Sequence, residues 1–127
     1  MLPDPNSCLL FAYGQLQPGI RPPRTMRRAW PDRVRGELFD LGRYPAAVRI
    51  GATAGSFCGH VIEIDASELA ELDAFEGVDE GLYLRVTTTT EAGCPVWIYE
   101  YARPLPAVAR GPIERWPSEG DMASGRD

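Results

Sequence analysis

Lysine is missing from this 127-residue chain; its thirteen basic residues are all arginine. That absence excludes Schiff-base catalysis and the lysine of a phosphate-binding loop. Histidine is almost as scarce: His60 stands alone, so no multi-histidine metal centre can form. The three cysteines, Cys8, Cys58 and Cys94, are widely spaced and contain no Cys-x-x-Cys pair. Zinc ribbons and thioredoxin-like redox sites are thereby unsupported, and the cysteines read as small buried hydrophobes. No apolar run is long enough to cross a bilayer, and Met1 to Ser7 lack the basic start and apolar segment of a secretory signal. A cytoplasmic protein without a membrane partner is the expectation. The net charge of −5 argues against general affinity for nucleic acid. Six arginines gather between Arg21 and Arg35, but no nucleic-acid motif accompanies them, and they read as a solvated connection.

What is present suits one domain with a modest core, 44% hydrophobic and 24% charged. Cys8 to Ala12 is a short apolar run expected to form a buried first strand, stopped at Tyr13-Gly14. Pro18-Gly19 and Pro22-Pro23 keep the next segment irregular. Arg33 to Asp40 suits a second strand, Ala46 to Ile50 a short third, and Phe57 to Ile64 a fourth. A helix follows, with Asp65 as its cap and Glu68 three residues on in a capping-box spacing. Leu69, Leu72 and Phe75 line one face of that helix, and Gly77 offers a left-handed stop. Tyr83 to Thr90 and Pro95 to Tyr101 complete about six strands. From Arg103 onward, proline, glycine and charge predict mostly loop. The pattern is α+β, a sheet curled toward a barrel with one or two helices. The globular unit is expected over residues 1–105, with 106–127 as a partly disordered extension.

Two stretches are chemically unusual. In Asp73-Ala74-Phe75-Glu76-Gly77-Val78, Glu76 ends the helix, where its charge faces the negative pole of the helix dipole. Acidic neighbours Asp73, Asp79 and Glu80, together with partial burial beside Phe75, act in the same direction. All three effects raise a carboxylate's pKa and make it a better proton acceptor; an exposed glutamate on a solvated turn is the plain alternative. In Tyr13-Gly14-Gln15-Leu16-Gln17-Pro18-Gly19, a strand ending at Tyr-Gly can present successive backbone N–H groups in one concavity and hold an anion. An ordinary turn would leave the same sequence trace.

Taken in order, Tyr13 to Gly19, Val34 to Ala46, Leu72 to Val78 and Tyr83-Leu84-Arg85 resemble the γ-glutamylcyclotransferase-like family, which includes γ-glutamylamine cyclotransferases and plant avirulence-induced proteins. Glu119-Gly120-Asp121-Met122 is a weaker echo of the family's closing Gly-Asp-Trp. The resemblance implies a small mixed barrel whose cavity lies where the Tyr-Gly loop faces the helix-end glutamate. It implies that Glu76 is the catalytic acid/base. It also implies that Tyr13, Gly14, Gln15 and Leu16 bind substrate through the loop backbone, and that Tyr83 lines the site. The family often has Ser or Thr at the position of Gln15. Contact through backbone N–H tolerates that change, whereas a required hydroxyl does not.

The implied reaction is closure of a γ-glutamyl amide to 5-oxoproline with release of an amine or amino acid. It needs neither a metal nor another cofactor, and its partner is a small γ-glutamyl substrate. Two other readings stand beside it. One is a non-catalytic small-molecule-binding or accessory member of the same family. The other is a thiol–imidazole hydrolase built on Cys58 and His60, which share a face of one strand.

Overall fold

The computed structural model describes residues 6–117. Eight strands run through them in chain order: β1 (Ser7–Ala12), β2 (Arg28–Arg35), β3 (Glu37–Asp40), β4 (Pro45–Val48), β5 (Ser56–Asp65), β6 (Tyr83–Thr89), β7 (Pro95–Tyr101) and β8 (Arg110–Ile113). A 3-10 turn, Ala66–Glu68, leads into the helix α1, Leu69–Phe75, between β5 and β6. Five strands form a mixed sheet in the order β2-β5-β1-β7-β6, in which β1 and β7 are parallel. The other three make an antiparallel sheet, β4-β3-β8.

The class is α+β, as expected, but the expected barrel is not closed. The reason lies at Gly36, between β2 and β3. Its φ of 153° is a conformation that side-chain-bearing residues rarely adopt, and a Cβ there would stand 3.0 Å from the Phe57 ring. The chain turns at this glycine from the large sheet into the small one, so the single strand read over Arg33 to Asp40 is two strands in different layers. Half of the arginine-rich stretch read as a solvated connection is strand: Arg28, Arg33 and Arg35 lie in β2, which is paired along its full length with β5. It lies at the edge of the sheet, where charged side chains are at home.

The large sheet is covered on both faces, which explains why β1 is a continuous apolar run rather than an alternating one. Phe11 points to one face, with Val34, Phe57, Val61, Val96 and Ile98, and meets Leu38 and Ala47 of the small sheet. Leu10 and Ala12 point to the other, with Ile62, Ile64, Tyr83 and Tyr99, and pack against Leu72 of α1. The period-2 alternation of each strand thus feeds two cores.

Two buried carboxylates stitch irregular chain onto this frame. Glu68, 3% exposed, makes no capping box with Asp65, which gives no side-chain cap to the helix. It instead accepts the backbone N–H groups of Arg24 (2.9 Å) and Thr25 (3.0 Å) and the Thr25 hydroxyl (2.5 Å). Asp40, 2% exposed, accepts Arg110 (2.7 Å) and the Trp116 indole N–H (3.1 Å). That anchorage is why β8 exists in a segment read as loop. Residues 119–122, and Met1 to Pro5, lie outside the described residues.

Candidate active site

β1 ends at Ala12 because the backbone leaves the sheet at Tyr13-Gly14 and turns back on itself. Gln17 N–H bonds the Gly14 carbonyl (3.1 Å), and Arg21 N–H bonds the Gln15 carbonyl (2.8 Å). The Gln17 side chain pins the turn from behind, donating to the carbonyls of Tyr13 (3.0 Å), Gly14 (3.2 Å) and Trp116 (2.9 Å). Gly14 is wedged against Pro45; an added Cβ would lie 2.8 Å from Pro45 Cγ. Among the described residues, the N–H groups of Gly14, Gln15 and Leu16 find no acceptor. Unused donors in a tight turn are the kind of group that can hold an anion.

Glu76 closes α1. The helix stops in a Schellman arrangement, with Val78 N–H on the Asp73 carbonyl (3.0 Å), Gly77 N–H on that of Ala74 (3.2 Å), and Gly77 at φ 69°. This termination fixes where the last side chain of the helix points. Glu76 lines a cavity of about 150 Å³ together with Phe11, Tyr13, Gly14, Leu16 and Tyr83. Gln15, Tyr44, Pro45, Phe75 and Tyr99 complete most of the wall. All six residues singled out in the sequence therefore border one hollow.

The carboxylate of Glu76 has no hydrogen-bond or ion-pair partner among the described residues. Burial lifts its pKa from 4.5 to about 7. Desolvation is the cause; the repulsion expected from Asp73 is not. Asp73 is spoken for by Arg85, which donates to both its oxygens (2.8 and 3.1 Å), and by the Tyr99 hydroxyl (2.8 Å). Those partners hold the Asp73 carboxyl below its ordinary range, Arg85 foremost. Arg85 in turn stacks on Trp97, 4.3 Å from the ring centroid.

Three tyrosines surround Glu76, and each is fixed by its hydroxyl. Tyr13 donates to the Tyr99 carbonyl, Tyr83 to the Pro45 carbonyl (2.6 Å), and Tyr99 to Asp73. Burial pushes all three phenols upward, with the Glu76 charge adding to the rise, so they remain neutral donors at neutral pH. Tyr44 and Tyr101 pack edge-on against Tyr83. Gln15 turns its amide to the Arg43 carbonyl (3.0 Å), so its side chain braces the Tyr44 loop while its N–H stays free.

The Cys58–His60 pair does not form. Cys58 Sγ accepts Arg33 (2.8 Å), and His60 Nδ1 faces Gln17 Oε1 (3.2 Å). No cluster of residues able to hold a metal ion occurs among the described residues.

A family model described as gamma-glutamyl cyclotransferase, AIG2-like, matches residues 10–119. The chain belongs to that family. It is 41% identical over 69 residues to YtfP of Escherichia coli K12, described as a gamma-glutamylcyclotransferase family protein; the match covers 54% of this chain and 57% of YtfP. The chain thus spans little more than half the length of that curated relative. The solution structure of E. coli YtfP superposes with a TM-score of 0.60 at 29% identity, over 89% of this chain and 98% of that one. The crystal structure of an AIG2-like protein from Mus musculus superposes at 0.67 over 93% of each chain; at 20% identity that likeness is one of fold. No helix among the described residues is long and apolar enough to cross a membrane.

Phe11, Tyr44, Pro45, Phe75 and Tyr99 are among the cavity residues of this family member that sequence reasoning missed as site residues. Pro45 lay inside a stretch that carried the resemblance, but Tyr99 had no motif. Its only trace was an aromatic among alternating strand residues.

Proposed function

We propose that the chain is a γ-glutamyl cyclotransferase: it closes the γ-glutamyl group of an amide substrate to 5-oxoproline and releases the amine or amino acid. The observation that carries this reading is a desolvated, unpartnered carboxylate facing the same cavity as a run of unused backbone N–H groups.

The steps follow from these positions. The nest of Gly14 to Leu16 takes the negatively charged or carbonyl oxygens of the glutamyl group, and the tyrosine walls hold its methylenes. The substrate α-ammonium donates a proton to Glu76. The freed amine attacks its own γ-carbonyl carbon, forming the ring C–N bond and pushing an electron pair onto oxygen. N–H donors stabilise that developing oxyanion. The oxyanion collapses, the old C–N bond breaks, and protonated Glu76 gives its proton to the leaving nitrogen. The second proton of the new ring nitrogen passes through the same carboxylate to the departing amine, which leaves as its ammonium. Atoms balance without water or a second substrate. A base with a pKa of about 7 is well matched to neutral pH, where positioned proton transfer contributes about 10²–10⁴-fold. Holding amine and carbonyl in contact adds the advantage of an intramolecular reaction.

The test is 5-oxoproline release from a panel of γ-glutamyl amines, γ-glutamyl dipeptides and glutathione. At least one substrate should give product, and Glu76→Gln should abolish it while leaving the circular dichroism spectrum unchanged. Product from Glu76→Gln at the normal rate would remove the acid/base role. Absence of product across the panel, with binding retained, would make this a ligand-binding family member.

A further inference from the structure

A cavity of about 150 Å³ is smaller than the roughly 300–1,000 Å³ of pockets that enclose drug-sized ligands, and suits one glutamyl group. The leaving amine must then sit outside it, on the rim. Among the described residues, Glu76 is the only charged side chain lining the cavity, so discrimination among leaving groups by charge falls to that rim.

The rim has a distinct character. Phe75 belongs to the cavity wall yet is 45% exposed, and Arg21 places its guanidinium 6.0 Å from the Phe75 ring centroid. Arg21 is tied to the substrate loop, since its N–H bonds the Gln15 carbonyl. Arg43, exposed and next to the cavity-lining Tyr44, receives the Gln15 amide on its own carbonyl. Many arginines elsewhere are matched with acids, among them Arg24 with Glu71, Arg28 with Glu63, Arg85 with Asp73 and Arg110 with Asp40, while Arg35 and Arg103 spend their guanidinium groups on backbone carbonyls away from the cavity. Among the described residues, neither Arg21 nor Arg43 meets a carboxylate. In a chain of net charge −5, cations without acidic partners beside a cavity mouth are a notable placement.

We propose that Arg21, laid against Phe75 at the mouth of the cavity, selects γ-glutamyl amides whose leaving amine carries a carboxylate, as in an amino acid or short peptide, over neutral or cationic amines. This rests on the cyclisation reading above for the identity of the glutamyl half. The guanidinium reaches the carboxylate of the departing amino acid, while the Phe75 face packs its α-carbon. A cationic amine meets repulsion at the same point.

The probes are γ-glutamyl-alanine, γ-glutamyl-ethylamide (the same amide without the carboxylate) and γ-glutamyl-putrescine. For the unaltered protein, kcat/KM should favour γ-glutamyl-alanine over the ethylamide by about fivefold, the upper range for a solvent-exposed ion pair. Putrescine should be poorest. The preference should shrink in high salt, which screens exposed charges. Arg21→Ala should erase the ratio, Arg21→Lys should keep part of it, and Arg21→Glu should favour putrescine. The same ratios should appear as Kd values measured calorimetrically on Glu76→Gln, where nothing turns over. A ratio near one in the unaltered protein, or a ratio untouched by Arg21→Ala, overturns the assignment of Arg21. If no probe yields 5-oxoproline but the Kd ratio collapses in Arg21→Ala, the cyclisation reading falls and the rim assignment stands. Product at equal rates from all three probes has the opposite meaning.

Discussion

Glu76→Gln should make the protein more stable at alkaline pH as it makes it inactive. The carboxyl titrates at 4.5 when free and at about 7 in the fold. Because the folded value is the higher one, the native state holds its proton more tightly than the unfolded chain does. The stability that Glu76 contributes is therefore fully present below pH 4.5 and is lost as the pH climbs through 7. At about 1.4 kcal/mol per pH unit, the full cost of keeping this carboxylate ionised in the cavity is about 3 kcal/mol. Water entering the cavity mouth lowers that, so an effect of about 1–3 kcal/mol is expected. Glutamine has the shape of the protonated acid but cannot ionise, and it escapes the cost. Urea unfolding of both proteins at half-unit steps from pH 5 to 8.5 reads the difference as a shift in midpoint at constant slope. About a quarter of the difference should already be present at pH 5, and nearly all of it by pH 8. Parallel curves across the range would mean that Glu76 is hydrated like a surface glutamate, and the proposed base would lose its physical basis. The assay needs no substrate, so it stands whatever the leaving amine is.

Other outcomes follow from the same contacts. With a substrate in hand, kcat/KM should fall about tenfold per pH unit below about pH 7 as Glu76 takes up its proton; a flat profile from pH 5 to 8 would contradict this. Gly14→Ala drives a methyl to 2.8 Å from Pro45, and should cost about 1–3 kcal/mol in urea unfolding and raise KM more than it lowers kcat. Glu68→Ala strands the N–H groups of Arg24 and Thr25 and should destabilise by about 2–4 kcal/mol, seen as a lower melting temperature.

The elements that could be seen in the chain are those whose reasons are local. Ser7–Ala12 and Pro95–Tyr101 betray themselves by apolar and β-rich composition, and Gly77 by its place after Glu76. What stayed hidden depends on distant chain. Val34 to Asp40 keeps an alternating pattern straight through Gly36, and only the change of partner strand shows that one element is two. β8 is held by Asp40, seventy residues before Arg110, and nothing in Arg-Gly-Pro-Ile says so. Asp73 reads as a source of repulsion until Arg85 is found opposite it across the helix–strand turn. Glu68 sits at capping-box spacing, yet the Arg24–Thr25 backbone claims it. Tyr99 reaches the site because β7 lies parallel to β1, a pairing no window of sequence contains.

The Gln17 side chain joins the turn after β1 to the carbonyl of Trp116, whose indole is itself bonded to Asp40. The segment from β8 to Trp116 is thus a keystone for the mouth of the pocket. A fragment ended at residue 105 would lose both tethers, leaving the turn after β1 free to swing. Expression boundaries for functional work should fall beyond Trp116, and a protease cut ahead of β8 offers a direct way to slacken the pocket without touching a single residue that lines it.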